Sequence, residues 1–477
     1  MAIKFGTDGW RAIIADGYTF ENVKICTQAI VDYLKARELD ANGLIIGYDT
    51  RFGSEKFAFA VAEVAAGNSV PVMLCNKPAP TPVISYNIVN RECGAGVVVT
   101  ASHNPSEWNG LKFKPGYGGS ASLEIVEELE RHISVVETTG EYSTTPLQKA
   151  KDNGLVELID PDPPYLNHIA GLVGLENIRN ASLNVVVDSM HGAGAGYIRT
   201  LIEGGSTRVF EIRADVNPSF PNMRQPEPIE QNLGPLAKKI TEVNGDVGLA
   251  TDGDADRLGI MDEDGNYIST LHTFSLICHH LLEGLGMQGP IVRSITMTNM
   301  IDKLGDLYGV PVLDTPVGFK YLGPVMMEEN AIAAGEESGG YAFNNNMPER
   351  DGILSGLLLL EMMAVSGKSL SELIELLESK VGHHNYNRID VKIQNDKKAQ
   401  IIDRLISSPI TSIGNKKILD FDNTDGFKYI LDNEGSWLLI RFSGTEPLLR
   451  IYAECQNQNY TQNILNSAID IMGIDAN

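Results

Sequence analysis

The sequence predicts an α/β protein of four domains, in which three similar mixed α/β sheet units are followed by a smaller C-terminal α+β domain. The chain has 477 residues, too many for one compact core, because domains usually contain about 100–200 residues. Three times an apolar strand pattern runs into a loop of small and polar residues. After residue 380 the pattern changes to short strands and an amphipathic closing helix over 461–472.

The repeated strand-to-loop pattern defines the three α/β units. It occurs at 96–105, 245–257 and 331–340. In each unit an earlier strand candidate precedes a turn and a helical stretch, at 44–53, 183–194 and 290–298, and the first two of these segments contain glycine. Alternating strands and helices predict largely parallel or mixed sheets covered on both faces, with ligands beyond the carboxyl ends of the strands.

The joints between the predicted domains are marked by turn-rich or polar segments. They are DPDPP at 160–164, the hairpin signal DEDGN at 262–266, and the polar switch that follows Lys380. Turn residues of this kind punctuate regular structure. We therefore predict domains at 1–149, 150–267, 268–379 and 380–477.

Composition and charge exclude several functional classes. The chain is 43% hydrophobic and 21% charged, as in ordinary globular proteins, and its formal charge of −24 would repel nucleic acid and anionic membranes. The most apolar stretch, 352–365, is interrupted by Glu361 and is too short to span a bilayer. The opening residues lack a secretory pattern. We expect a cytoplasmic protein with a small-molecule ligand and no nucleic-acid or membrane partner.

The segment TASHNPSEWNGLKF at 100–113 follows a buried-strand pattern and places Ser102 on a loop that we expect to be exposed. A lone serine after a strand is usually a helix cap. Here His103 and Lys112 are close in sequence, and a nearby cation can stabilise a phosphorylated serine and take part in proton transfer. The segment therefore indicates a candidate nucleophile.

The segment TDGDADRLG at 251–259 places Asp252, Asp254 and Asp256 at every second position with small residues between them. This spacing lets three carboxylates converge on one hard cation such as Mg²⁺ or Ca²⁺. A solvated acidic turn is the alternative, and the glutamate that ends a calcium-binding hand is missing. Arg257 follows directly and can neutralise a transferring phosphoryl group.

Two further segments have the residues of a phosphosugar site. GEESGGY at 335–341 presents Glu336 and Ser338 for sugar hydroxyls, although a plain turn has the same composition. Lys320, in TPVGFK at 315–320, is a candidate anion contact. RFSGTEPLLRIY at 441–452 combines guanidinium, hydroxyl and turn-amide donors for phosphate, namely Arg441, Ser443, Gly444, Thr445 and Arg450.

Five motifs together resemble the α-D-phosphohexomutase family, and their order along the chain is similar too. They are FGTDGWR (5–11), TASHNP (100–105), DGDADR (252–257), GEESGG (335–340) and RFSGTEPLLR (441–450). The resemblance runs from residue 5 to about 453. It implies four domains around a central cleft.

The resemblance also implies a role for each matching residue. Ser102 would be the phosphoserine, and Mg²⁺ would be held by it together with Asp252, Asp254 and Asp256. Lys112 would be an acid/base near the serine, with Arg11 and Arg257 assisting phosphoryl transfer. Sugar hydroxyls and the distal phosphate would be bound by Glu336, Ser338, Arg441, Ser443, Gly444 and Thr445.

The implied activity is interconversion of a hexose 1-phosphate and 6-phosphate, by a monomer or homodimer, through a hexose 1,6-bisphosphate that turns around in the cleft. Phosphoglucomutase ranks first because the pair Phe319-Lys320 and the loop with Glu337, where the glucosamine type usually has Gln, resemble glucose- or mannose-type enzymes. Phosphomannomutase and phosphoglucosamine mutase are alternatives. Some relatives have a histidine where Gly340-Tyr341 stands, so His103 is only a candidate second proton-transfer group.

Two rival functions have different signatures. A metal-dependent sugar phosphatase would use the same acidic cluster and nucleophile but release inorganic phosphate. A non-enzymatic phosphosugar sensor on the same fold would be expected to lose Ser102 or the aspartates, and all four residues are present.

Overall fold

The computed structural model describes residues 3–6, 8–393, 395–407, 410–414, 416–432, 434–443 and 448–474. Its α/β architecture confirms the predicted fold class. Four principal sheets follow one another along the chain, and the first three mix parallel and antiparallel strands. The predicted loop residues Gly444 and Thr445 lie outside the described residues.

The first sheet has six strands in the order β1-β5-β4-β2-β3-β6. Its elements are β1 Trp10–Ile13, α1 Phe20–Ala36, β2 Leu44–Tyr48, α2 Ser54–Gly67, β3 Val72–Cys75, α3 Thr81–Asn90, β4 Ala95–Val99, β5 Trp108–Pro115, α4 Leu123–Thr139, α5 Leu147–Asp152 and β6 Val156–Ile159. β6 pairs with β3 in parallel. The first sheet therefore extends past the predicted boundary at residue 150.

The second sheet has five strands in the order β11-β10-β9-β7-β8. This part of the chain contains α6 Asp162–Ala170, α7 Leu175–Asn180, β7 Asn184–Asp188, α8 Tyr197–Ile202, β8 Arg208–Ile212, α9 Gly234–Val243, β9 Val247–Thr251, β10 Leu258–Met261 and β11 Tyr267–Ile268. The DEDGN segment forms the predicted hairpin, but it joins β10 to β11 inside this sheet.

The third sheet has four strands in the order β13-β12-β14-β15. Its elements are α10 Thr270–His279, which continues as a π-helical turn His280–Gly284, then β12 Ile291–Ser294, α11 Met300–Tyr308, β13 Val312–Thr315, α12 Phe319–Glu328, β14 Ala333–Gly335, β15 Tyr341–Phe343, α13 Gly352–Ser366 and α14 Leu370–Val381.

The fourth domain has an antiparallel sheet in the order β16-β22-β21-β20-β19, with a two-stranded ladder beside it. It contains β16 Asn385–Lys392, α15 Asn395–Ser407, β17 Ser412–Ile413, β18 Lys416–Lys417, β19 Asp420–Asp422, β20 Phe427–Ile430, β21 Trp437–Phe442, β22 Leu448–Cys455 and α16 Gln458–Met472. The predicted closing helix is therefore present and begins three residues earlier, at a cap formed by Asn457.

α13 explains how the second and third sheets share one hydrophobic core. The helix is apolar on nearly all sides, and its first twelve residues are buried, as expected for a helix inside a large core. It packs against α7, α8 and β10 as well as α10. Glu361 is accommodated because its carboxylate accepts hydrogen bonds from Gly174 N and His280 Nε2, at 2.6 and 3.1 Å.

Among the described residues, no single helix is long and apolar enough to cross a membrane. Only α13 and α14 taken together reach the length and apolar composition of a membrane span, and the two helices are bent by 88° where they meet.

The repeat seen in the sequence is a repeat of strand pairing. β2 pairs in parallel with β4, β7 with β9, and β12 with β14. In each unit a turn then connects the second of these strands to an antiparallel partner, β5, β10 or β15. The three polar loops occupy this same turn, at equivalent edges of their sheets.

Candidate active site

Ser102 lies on the loop between β4 and β5 and is fully buried, so the expected exposure of this residue is wrong. The acidic loop of the second domain lies against it. Its backbone is left-handed, with φ of 52°, a strained conformation for a non-glycine residue that often occurs at functional sites. Arg51 fixes this conformation, because its Nη2 donates to Ser102 O and to Asn104 O, both at 2.6 Å.

The three aspartates converge as the sequence predicts. Carboxylate oxygens of Asp252, Asp254 and Asp256 lie within 4.8 Å of one another, and all three side chains are buried. Ser102 Oγ donates a 2.8 Å hydrogen bond to Asp252 Oδ2. The serine and the acidic loop, 150 residues apart in sequence, therefore form one site.

The unused oxygens of this cluster fit a divalent cation. Asp254 Oδ1 and Asp256 Oδ1 are buried and have no hydrogen-bond partner within the described structure. Burial, with repulsion from Asp256 and Asp254, raises the pKa of Asp252 well above its ordinary value. A bound Mg²⁺ would relieve both penalties, since it prefers carboxylate oxygens and offsets their charge.

Lys112 stands in the centre of the acidic cluster. Its Nζ lies 2.8 Å from carboxylate oxygens of Asp8, Asp254 and Asp256. Burial alone would lower the pKa of Lys112, but the three carboxylates raise it above the ordinary value. In this arrangement the ammonium stays charged at neutral pH, which suits anion stabilisation better than proton abstraction. The acid/base role implied by resemblance stays a prediction.

Arg11, Arg257 and His103 surround the serine loop. Arg11 Nη1 donates to Asn104 Oδ1 at 2.8 Å. Arg257 Nη1 donates to Glu227 at 3.0 Å, while its buried Nε has no hydrogen-bond partner within the described structure. His103 Nδ1 lies 3.4 Å from Ser102 Oγ. Burial, with repulsion from nearby cations, lowers the pKa of His103 well below 6.5, so its imidazole is neutral at physiological pH.

The predicted sugar loop follows β14 and adjoins the acidic loop. Leu258 N donates to Gly339 O at 2.9 Å. Glu336 is buried, and burial raises its pKa, while Ser338 is half-buried. Glu337 Oε1 forms an ion pair with Arg388 Nη1 of β16, at 2.9 Å.

The described part of the predicted phosphate loop faces the third domain. Arg441 Nε donates to Asp425 Oδ2 at 2.9 Å, and Val317 N donates to the same oxygen at 2.9 Å. Val317 belongs to the segment 315–320, which ends at Lys320. Burial lowers the pKa of Lys320. Ser443 is buried at the end of β21, and Arg450 is opposite Arg441 in the ladder.

The buried charge network that contains Lys112 extends to Arg350, Glu349 and Lys114, for which the sequence predicts no role. Arg350 of the third domain pairs with Asp8 of the first and, at 3.0 Å, with Asp256 of the second. Its neighbour Glu349 pairs with Lys114 of β5. Asp8 and Asp256 lie in the recognised motifs FGTDGWR and DGDADR, whereas Lys114, Glu349 and Arg350 lie in none, so the sequence signal is weak. The partners are separated by up to 342 positions along the chain.

The fold and the site together define a class, namely a multidomain α/β protein whose buried serine adjoins a cluster of three buried aspartates. Comparison with known families then gives the particular family. Four phosphoglucomutase/phosphomannomutase models match in order: α/β/α domain I at 2–139, domain II at 163–265, domain III at 270–380 and the C-terminal domain at 389–470. The chain belongs to this family, the α-D-phosphohexomutases, and is an intramolecular phosphotransferase.

Individual relatives cover almost the whole chain. A Thermococcus kodakarensis protein named phosphoglucomutase/phosphomannomutase is 32% identical and covers 99% of each chain. A "probable phosphoglucosamine mutase" of Thermococcus gammatolerans is 31% identical and covers 98% of each. A solved structure from Thermus thermophilus with a phosphomannomutase name is 30% identical, covers 99% of each chain and has a TM-score of 0.85.

Proposed function

We propose that this enzyme interconverts the 1-phosphate and 6-phosphate of a hexose through a phosphorylated Ser102. The observation that carries the proposal is the 2.8 Å contact between Ser102 Oγ and Asp252 inside a buried three-carboxylate cluster. The family is generally Mg²⁺-dependent. An ion held by Asp252, Asp254 and Asp256 would neutralise charge on the phosphoryl group.

In the proposed reaction a sugar hydroxyl attacks the phosphorus of phosphorylated Ser102. The bond from phosphorus to Oγ breaks, and the proton lost by the sugar hydroxyl is returned to Oγ. The product is a hexose 1,6-bisphosphate, which turns around. Ser102 Oγ then attacks its other phosphorus, the bond from that phosphorus to the sugar oxygen breaks, and the proton of Oγ passes to the sugar oxygen. Arg257 and Lys112 are placed to stabilise the charge, because both are buried cations beside the cluster.

Two observations bear on which hexose is the substrate. The sequence ranks glucose first partly because of Glu337, but the carboxylate of Glu337 pairs with Arg388. Several relatives of about 30% identity have phosphoglucosamine mutase names. These observations support glucosamine phosphate ahead of glucose phosphate, with mannose phosphate as a further candidate.

Ser102→Ala tests the covalent route. We expect loss of mutase turnover by at least about a thousand-fold, since the acceptor oxygen is removed, with the thermal unfolding temperature preserved. After incubation with hexose 1,6-bisphosphate and Mg²⁺, intact-protein mass spectrometry should find one phosphoryl group on the wild type and none on the variant. Near-normal turnover in the variant would contradict the proposal.

A matched control and a product assay complete this test. Ser275→Ala removes another buried serine hydroxyl, which bonds only within α10 to Leu271 O at 2.8 Å in the described structure, and should keep full activity. Glucosamine, glucose and mannose 1-phosphates assayed side by side rank the sugars. Release of inorganic phosphate in place of isomerised product would instead identify a phosphatase.

A further inference from the structure

The pair formed by Glu337 and Arg388 joins the sugar loop to the fourth domain. Glu337 lies between the two proposed sugar contacts, whereas Arg388 lies on β16, the first strand of the fourth sheet. Arg388 Nη1 donates to Glu337 Oε1 at 2.9 Å. The contact therefore links the sugar-recognition segment of one domain to the domain that contains the phosphate loop.

The pair has further contacts around it and is partly shielded from water on the Glu337 side. The Glu337 side chain is 20% exposed and Arg388 is 36% exposed. The guanidinium lies 5.9 Å from the ring centre of Tyr452 and also contacts Asp390 at 3.0 Å. Although burial opposes it, the charge of Glu337 raises the pKa of Arg388. An ion pair that is partly shielded from water is screened less by salt than an exposed one.

The rest of the sugar loop is already fixed by the second and third domains. Thr270 Oγ1 donates to Glu337 O at 2.7 Å, and Leu258 N donates to Gly339 O at 2.9 Å. These contacts hold the loop backbone and leave the Glu337 side chain to reach the fourth domain. The loop therefore connects three domains through two of its residues, Glu337 and Gly339.

We propose that Glu337 is a positioning residue that holds the fourth domain in its substrate-binding position. This inference rests on the proposed function, in which the sugar loop and the phosphate loop bind opposite ends of one phosphosugar. When only a fraction of molecules has the competent arrangement, apparent affinity falls by that fraction. The pair therefore strengthens binding of every hexose phosphate to the same degree and does not select among sugars.

A neutral double-mutant cycle tests the pair. Glu337→Gln, Arg388→Met and the double variant are made in the Ser102→Ala background, so that no turnover occurs, and the Kd values of glucosamine 6-phosphate and glucose 6-phosphate are measured by calorimetry. Each single change should raise both Kd values by about three- to ten-fold, as for partly buried ion pairs. The double variant should be no weaker than either single variant, and the ratio of the two Kd values should stay constant.

Controls separate positioning from folding. Arg388→Lys keeps the charge and should recover most of the affinity. Lys239→Met removes a cation that pairs with Glu242 at 3.1 Å on one helix of the second domain, and should leave both Kd values unchanged. Thermal unfolding identifies any misfolded variant, and because the two single changes lie in different domains, each tests the pair separately.

Three outcomes would overturn the inference. Additive losses in the double variant would mean that the two residues act independently. A changed ratio of the two Kd values in Glu337→Gln, with none in Arg388→Met, would make Glu337 a sugar-selecting contact. Unchanged Kd values in both single variants would remove the positioning role, whereas failure of the parent to bind either phosphosugar would instead contradict the proposed function.

Discussion

Lys112 and Arg441 are both cations of the proposed cleft, but they stand in different surroundings. The charge of Lys112 is balanced by three carboxylates at 2.8 Å. Arg441 gives its Nε donor to Asp425, and a guanidinium has five N–H donors in all. A planar group with several N–H donors suits bidentate binding of phosphate. We therefore propose that Arg441 binds the idle phosphate of the substrate and that the transferring phosphate lies near Lys112.

Arg441→Ala should weaken binding of a hexose phosphate by about ten- to a hundred-fold, because a charge-assisted contact to phosphate is lost. Calorimetry of hexose 6-phosphate with the variant measures this directly. Arg441→Lys keeps a cation without the bidentate geometry, so its affinity should lie between those of the wild type and Arg441→Ala. Unchanged affinity in Arg441→Ala would mean that the distal phosphate binds elsewhere.

At this scale the sequence predicted the residues with local motifs and missed those with distant partners. Ser102 and the three aspartates lie in short, dense segments, and the structure brings them together. Arg350 looks like an ordinary surface cation in sequence, yet it is buried between Asp8 and Asp256. Such a role depends on contacts among three domains, and the spacing of residues within one segment of the sequence does not predict these contacts.

At the scale of elements, the close approach of the acidic loop to the serine loop determines the geometry of the site. Gly253 lies between Asp252 and Asp254, and a Cβ atom at this position would lie 2.5 Å from Ser102 O. Such a distance is far below van der Waals contact, so glycine is required for the acidic loop to reach the serine loop. This close approach is what places Ser102 Oγ against Asp252.

Gly253→Ala should separate the two loops while leaving the domains folded. A displacement of about 1 Å in a catalytic arrangement costs roughly a hundred-fold in rate, so we expect kcat to fall by about that factor and the Mg²⁺ requirement to rise. Kinetics over a Mg²⁺ titration provide the measurement. Gly171→Ala, whose Cβ would lie 3.3 Å from His168 O, is the control and should remain active; an active Gly253→Ala would show that the loops tolerate separation.

The element pattern was the most predictable level of the structure. Strand, polar loop and antiparallel return occur three times because each unit has the same apolar strand followed by small residues. The domain boundaries were less predictable, since β6 pairs with β3 of the first sheet and the DEDGN hairpin joins two strands of the second sheet. Both segments have ordinary turn or strand composition, and only pairing partners decide to which sheet they belong.

At the scale of the whole molecule, Glu454 holds the fourth domain on the third. This buried residue of β22 accepts hydrogen bonds from Thr298 Oγ1, Asn299 N, Trp437 Nε1 and His384 Nδ1, at 2.5, 3.0, 2.6 and 2.7 Å. Thr298 and Asn299 belong to the third domain, directly before α11. The Trp437 ring is fully buried in the small apolar cluster with Ile295 that forms the contact.

The charge of Glu454 makes this docking sensitive to pH. Burial alone would raise its pKa, but the hydrogen bond and charge of His384, with the bonds from Thr298 and Asn299, lower it below the ordinary value of 4.5. The unfolded chain therefore binds this proton first as pH falls. The stabilisation is complete above about pH 4.5 and is lost as pH falls through the lowered pKa.

Glu454→Gln should consequently destabilise the docked fourth domain by about 1–3 kcal/mol at pH 7, the usual cost of losing a buried charged hydrogen-bond acceptor. Fluorescence of Trp437, with Trp10 and Trp108 replaced by Phe, follows undocking during thermal unfolding. We expect the variant to melt several degrees lower than the wild type at pH 7 and the gap to shrink below pH 4.5, because protonation removes the same charge from the wild type. Lys239→Met should show no such gap, and a gap that stays constant down to pH 3.5 would mean that the charge of Glu454 does not hold the domains together.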